Sequence, residues 1–350
     1  MTVRYYRWDD ASAPVLNATK GAMNNVLDKC LVSGYGSKAA AGWTKVLDDV
    51  GKAKTIFQNA GSGAMYQVQH DGAWLNTHTV GQDYTGFTFR GCAGFANIDD
   101  LVGAYPRLVE DHDPQLTTNR GVSAFTFDGT SVNGYPWMVV ADESTCYVIT
   151  MQSTTLADGH YVMLGDVKVF GQNATVLPKA AIVASQYNNI QKTASGYFDH
   201  SNGATTSSEV GYSSRSIGGG TNAVRLKLIS FLPREGSDPG YSTNNYIPYP
   251  NPILTGMTKY TYYIAEDYSD PLREVVYPAR SNQQLIYATL PGAYNTPHII
   301  TADSAKSSVR LGVPYGVVTD NGRDYLMLKS YSIGSSGQET RTVLDITGPW

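Results

Sequence analysis

Charge is scarce in this chain. Of 350 residues, 26 are Lys or Arg and 30 are Asp or Glu, 16% in all, against about 25% in an average soluble domain. The net charge of -4 and the single scatter of basic residues provide no cationic field to draw in a phosphate backbone. Nucleic acid is therefore not an expected partner. Cysteine is nearly absent too: Cys30, Cys92 and Cys146 are far apart, odd in number and without the paired spacing of a zinc site or a disulfide framework. They are expected to be buried free thiols of a protein folded in a reducing cytoplasm. Long apolar runs are also missing. No stretch approaches the ~18 residues that span a bilayer and no charged-then-apolar leader opens the chain, so a soluble protein with no membrane partner is expected.

What the chain has instead is 42% hydrophobic residues, 35 Gly and 25 Tyr, enough apolar material for two ordinary cores in a composition that suits strands joined by many turns. One helix is expected over residues 13–31. Met23, Val26, Leu27, Cys30 and Leu31 fall at the i, i+3, i+4, i+7, i+8 spacing of a single buried stripe, with Pro14 placed for a first turn and Gly34 for a stop. A second helical turn is expected over 97–105, capped by Asn97, with Asp99 and Asp100 in its first turn.

Strands are expected at 55–58, 65–70, 87–90, 137–141, 146–151, 161–164 and 167–170. Asp71-Gly72 marks a hairpin and Asp142-Glu143-Ser144-Thr145 a polar turn. Residues 191–220, rich in Ser, Thr, Asn and Gly, read as a surface loop. The alternation of Val224 to Leu228 reads as a half-exposed strand, and 233–252, with Pro248, Pro250 and Pro252, as a second loop. Further strands are expected at 260–265, 274–277, 284–289, 316–319, 325–329 and 342–346. The fold class is therefore mainly β, a β-sandwich or antiparallel sheets, with one N-terminal amphipathic helix packed on the first sheet and two β-rich domains. The divisions are 1–190 for the helix and first β domain, 191–255 for a loop-rich linker or insertion with one strand, and 256–350 for the C-terminal β domain.

Chemical motifs are few. Gly34-x-Gly36-x-x-Ala39 loosely matches a dinucleotide fingerprint, but its glycines follow a helix instead of opening one after a strand, so no cofactor is expected. Glu110-Asp111-His112-Asp113-Pro114 carries metal-type ligands, yet adjacent residues seldom converge on one ion, and a solvated acidic turn is the simpler reading. His70, His78, His160, His200 and His298 share no ligand spacing. No Gly-x-Ser-x-Gly elbow is complete. Asp142, Asp166 and Asp267 are carboxylates of the type a glycosidase needs, without a motif that pairs them. Tyr241, Tyr246 and Tyr249, set among glycines and prolines, suit either a glycan-binding face or a subunit interface.

Several segments resemble a family of structural proteins from the virions of tailed bacteriophages. They begin with Tyr5-Tyr6-Arg7-Trp8-Asp9-Asp10 and Ala13-Pro14-Val15-Leu16, followed by Cys30-Leu31-Val32-Ser33-Gly34-Tyr35-Gly36 and Ala41-Gly42-Trp43-Thr44. Centrally they are Pro136-Trp137-Met138-Val139-Val140-Ala141-Asp142 with Tyr147, and Leu164-Gly165-Asp166-Val167. Towards the end come Tyr249-Pro250-Asn251-Pro252, Leu290-Pro291-Gly292-Ala293-Tyr294, Gly322-Arg323-Asp324-Tyr325-Leu326 and Leu344-Asp345-Ile346-Thr347-Gly348-Pro349-Trp350; the stretch around 191–220 has no counterpart. The resemblance implies a virion component of the neck, collar or tail, assembled in the bacterial host cytoplasm, with no catalytic residue, cofactor or metal. Its partners would be other virion proteins and copies of itself in a symmetric ring or cluster. A capsid decoration protein, or a receptor- or glycan-binding module meeting a host surface glycan, is the alternative. The expected subunit contacts are Tyr35, Trp43, Tyr241, Tyr246, Tyr249 and Trp350. The indole of Trp350 in particular is expected to dock against protein.

Overall fold

The computed structural model describes residues 2–70, 84–102, 122–128, 134–151, 159–170, 180–184, 210–213, 224–230, 258–266, 286–295, 316–320, 322–329 and 341–350. In chain order these form β1 (Arg4–Arg7), α1 (Ala22–Leu27) continuing as a π-helical turn (Asp28–Ser33), β2 (Thr44–Asp49), β3 (Lys54–Gln58), β4 (Met65–Gln69) and β5 (Tyr84–Cys92). Next come β6 (Gly94–Phe95), β7 (Leu101–Val102), β8 (Val122–Asp128), β9 (Trp137–Ala141), β10 (Thr145–Met151), β11 (Gly159–Asp166), β12 (Lys168–Phe170) and β13 (Ala180–Ala184). The remainder are β14 (Val210–Ser213), β15 (Val224–Ser230), β16 (Thr258–Glu266), β17 (Ile286–Asn295), β18 (Val317–Asp320), β19 (Arg323–Lys329) and β20 (Arg341–Asp345). The described part is mostly β with one short helix, and its strand pairings are antiparallel.

A thirteen-stranded sheet runs β1-β9-β10-β11-β13-β14-β15-β16-β17-β20-β19-β18, with β12 pairing β17 off this path. A five-stranded sheet runs β2-β3-β4-β5-β8, and β6 with β7 makes a two-stranded one. The hairpin around Asp142-Glu143-Ser144-Thr145 forms as its composition implies, with Cys146 opposite Ala141 and Thr150 opposite Trp137. Both of its strands are buried along their whole length, so they read in sequence as apolar runs instead of alternating ones. Tyr6, Trp137, Val139, Val148 and Leu164 of the large sheet share one hydrophobic cluster with the helix stripe and with Phe57, Tyr66 and Phe87 of the smaller sheet.

The helix is shorter than its sequence pattern implies. The stripe is right: Met23, Val26, Leu27, Cys30 and Leu31 are all fully buried. Residues 13–21 are not helical, however, because their backbone groups are taken by a distant segment. The Pro14 carbonyl accepts the Trp137 indole N–H at 3.0 Å, and the Leu16 carbonyl accepts the Tyr135 amide at 2.6 Å. Both carbonyls are thus turned to a distant segment instead of to an amide four residues on. Asn24 then ties α1 to strand atoms, donating to the carbonyls of Ala53 and Val68 and to Thr55 Oγ1.

The turn at Asn97 is also a correction: residues 97–102 contain no helix. Asn97 Oδ1 does accept the amides of Asp99 and Asp100, at 2.9 and 3.1 Å, but the turn so made joins β6 to β7. Lys52 of the β2–β3 turn and Lys54 at the start of β3 bind Asp99. Hydrogen bonds from Lys52 and then Lys54 hold its carboxyl at about 2, below the ordinary 3.8. A carboxylate whose pKa falls on folding stabilises the fold fully above its unfolded value and loses that contribution as pH drops towards the folded one. The ion group is exposed and screened by salt, so a local effect is expected. Between about pH 4 and 2 at low salt, amide exchange across 93–102 should rise, and in the Lys52→Ala/Lys54→Ala variant the NMR titration of Asp99 should return towards 3.8.

Within 191–220, read from sequence as loop, Val210–Ser213 forms β14 between β13 and β15. The expected strand at 274–277, the loop at 233–252 and the Asp71-Gly72 turn lie outside the described residues.

Candidate functional site

Three of the six aromatic residues expected at subunit contacts are described, and each is engaged within the chain. Tyr35 follows the π-helical turn and is 8% exposed. Its ring lies 5.9 Å from that of Tyr6 and 6.4 Å from that of Trp137, and its hydroxyl donates to Asp10 Oδ2 at 2.8 Å. Burial, reinforced by Asp10, pushes this phenol well above its ordinary range, so it is a donor throughout physiological pH. Trp43 is 3% exposed; its indole N–H donates to the Asp142 carbonyl at 2.8 Å and its ring tilts against Tyr66 at 5.8 Å. Trp350 is half-buried, with its ring edge-on to Tyr147 at 5.5 Å. Its N–H donates to the Asp345 carbonyl at 2.7 Å, so the indole docks on its own chain. Tyr241, Tyr246 and Tyr249 lie outside the described residues.

The residues that organise these contacts are carboxylates that sequence reasoning did not single out for this role. Asp142 Oδ1 accepts the amides of Ser144 and Thr145 and the hydroxyl of Ser144, at 2.7 to 2.9 Å. Asp345 is fully buried. Its Oδ1 accepts the amides of Thr347 and Gly348, both at 2.9 Å, and its Oδ2 accepts Arg323 Nη1 at 2.7 Å. With Asn97, these are three instances of one device, a side-chain oxygen accepting the amides two and three residues on. The signal was present in Asp-x-Ser-Thr and Asp-x-Thr-Gly. His70 is a further missed residue: its Nδ1 accepts the Met23 amide at 3.1 Å, satisfying a donor at the open end of α1.

A joint between the two larger sheets forms where the β3–β4 loop meets the β9–β10 turn. Asn59 Nδ2 donates to the Ser144 carbonyl at 2.8 Å and to Asp166 Oδ1 at 3.1 Å. The Ala60 amide reaches the Glu143 carbonyl at 2.8 Å, and Ser62 donates to Asp166. Asp142 and Asp166, weighed from sequence as hydrolytic carboxylates, are thus occupied as hydrogen-bond acceptors; Asp267 is outside the described residues.

Gly34 and Gly36 follow the π-helical turn and the next element is the strand β2, so the glycines do not open a helix as the phosphate-binding fingerprint requires. Among the described residues no group of three His, Cys, Asp or Glu side chains is placed to hold a metal, and the 110–114 cluster lies outside them. Burial raises the thiols of Cys30 and Cys146 far above neutrality and that of Cys92 to about 11, so at neutral pH all three are unreactive thiols. No helix among the described residues is long and apolar enough to cross a membrane. No protein-family model matches the chain, and no curated protein matches it in sequence.

Proposed function

We propose that the chain is a structural subunit of a tailed-phage virion, placed in the neck, collar or tail and working through contacts with copies of itself and with other particle proteins. The observation that supports this reading is that the segments carrying the resemblance interlock. Tyr35 binds Asp10, Trp137 binds Pro14 and Trp43 binds Asp142. The Tyr147 hydroxyl donates to the Pro291 carbonyl at 2.8 Å, and Arg323 binds Asp345. Among the described residues, positions far apart in the chain, from Asp10 to Asp345, meet in these pairs. A subunit that must hold its shape in a particle depends on such clamps, and scarce charge with abundant Tyr suits adhesive surfaces.

In this reading the chain is built as two β-rich domains with the helix laid on the first sheet, and the loops 191–220 and 233–252 carry subunit contacts. Mass spectrometry of purified particles should find the chain at a fixed copy number relative to the major capsid protein, and a particle reconstruction should place it in a symmetric ring. Purified particles without it would overturn the proposal.

A further inference from the structure

The outer face of the five-stranded sheet carries an arginine left unpaired among the described residues. Phe87 and Phe89 of β5 belong to the shared core, so Arg90 and Cys92 lie on the opposite face. Arg90 stands directly opposite Gln67 of β4. The Gln67 side-chain amide donates to the Ile98 carbonyl, which brings the β6–β7 hairpin over this face, and Gln67, Cys92 and Ile98 are all buried there. In the same hairpin Asp99 holds Lys52 and Lys54, so those cations are matched. Arg90 is not. It is partly buried, its Nε is sealed from solvent without an acceptor, and among the described residues no carboxylate acts on it. Burial pushes its guanidinium down from the ordinary range, with only the neighbouring Cys92 acting the other way.

We infer that Arg90 is the receptor for a carboxylate, bound end-on through Nη1 and Nη2 beside the β6–β7 hairpin. A guanidinium cannot shed its charge by losing a proton, so an arginine whose stem merely covers apolar surface keeps its head in water. Here the inner nitrogen of the head is kept inside. The charge is therefore under-solvated, and an anion at the outer nitrogens gains more from it than from an arginine in open water. The class of anion follows from the charge on offer. One guanidinium presents two parallel donors and one positive charge, which match a planar, singly charged carboxylate. A phosphate dianion calls for a second cation, and the lysines at this hairpin are already held by Asp99, whose own negative charge disfavours a dianion. The carboxylate belongs either to a free acid or to an Asp or Glu of a second copy, and the two sources differ in their effect on size. The site is independent of the virion reading, because it is tested on the isolated chain.

The experiment is a titration of the full chain with sodium acetate, against sodium chloride at the same ionic strength, followed by the NMR resonance of Arg90 Nε–H and by thermal unfolding. Acetate is expected to shift the resonance saturably and to raise Tm, and chloride to do neither. Arg90→Gln should lose the acetate-dependent rise in Tm. If that variant fails to fold, Arg90→Lys keeps the charge without the fork, and its apparent affinity for acetate should be about tenfold weaker than that of the wild type. Sedimentation velocity over a concentration series assigns the source. Acetate that binds without changing the size of the wild type marks a free acid. A wild type that associates with concentration, and is dissociated both by acetate and by the Arg90 substitution, marks a side chain of a second copy. Acetate that is no more effective than chloride, or as effective on the Arg90 variants as on the wild type, overturns the inference. Inorganic phosphate that binds more tightly than acetate overturns the assignment to a carboxylate.

Discussion

Gly165→Ala is expected to prevent β10 and β11 from pairing in their native register. Gly165 stands opposite Thr145 with φ at 131°, a region that only glycine occupies without strain, at about 1–3 kcal/mol for any other residue. The steric term is larger. An added Cβ would lie 2.6 Å from Thr145 Cα and 3.1 Å from the Ser144 carbonyl carbon. Both are backbone atoms of the paired strand, so no rotamer change relieves the overlap and the strands must separate. Separation would also disturb the joint between the sheets, because the Ser144 carbonyl accepts both Asn59 and the Asp166 amide. Urea denaturation should show a loss of more than about 3 kcal/mol or no cooperative transition. Gly322→Ala is the matched control: its φ is also positive, at 74°, but nothing lies within 4 Å of the added carbon, so only the left-handed penalty of about 1–2 kcal/mol is expected.

The second large effect is expected at Asp345. Its carboxylate is fully buried and holds Arg323 and the amides of Thr347 and Gly348. Asp345→Ala removes the acceptor for all three and leaves two amides and one guanidinium without it. Loss of one partner of a buried pair costs about 3–5 kcal/mol. Arg323 is more than a third exposed and can rehydrate, which places the expected loss near the lower end, about 3 kcal/mol. Asp345→Asn keeps an oxygen for the two amides but turns an N–H₂ towards Arg323, so its loss should be smaller but not absent. Amide exchange distinguishes this from general destabilisation: Thr347 and Gly348 should be protected in the wild type, nearly as protected in Asp345→Asn, and open in Asp345→Ala. Trp350 should follow them, since its indole is anchored to the Asp345 carbonyl.

The fold was legible in sequence where the signal is local. The β9–β10 hairpin is announced by two apolar runs around four polar turn residues, and the buried stripe of the helix by its 3.6-residue period. What sequence could not show is competition from afar. Pro14 and Leu16 look like the first turn of a helix until Trp137 and Tyr135, more than a hundred positions later, take their carbonyls. The same competition acts at one of the residues expected at a subunit contact. A tryptophan beside glycines suggests an adhesive surface, but Trp43 is drawn inside by the carbonyl of Asp142, 99 residues on. The carboxylates that clamp the fold were available as Asp-x-Ser-Thr and Asp-x-Thr-Gly, patterns of turn chemistry more than of catalysis.

The contact of Tyr147 with Pro291 sets a clock on synthesis. The two are separated by 144 positions, so a ribosome adding about 5–20 residues per second completes β10 roughly 7–30 s before Pro291 exists. During that interval β9, β10 and β11 can pair with one another and with β1, since all four have been made, but Pro291 and Trp350, which meet Tyr147 in the fold, do not yet exist. The early edge of the large sheet can therefore form before its late strands are made, and the surface around Tyr147 is among the last to find its partners.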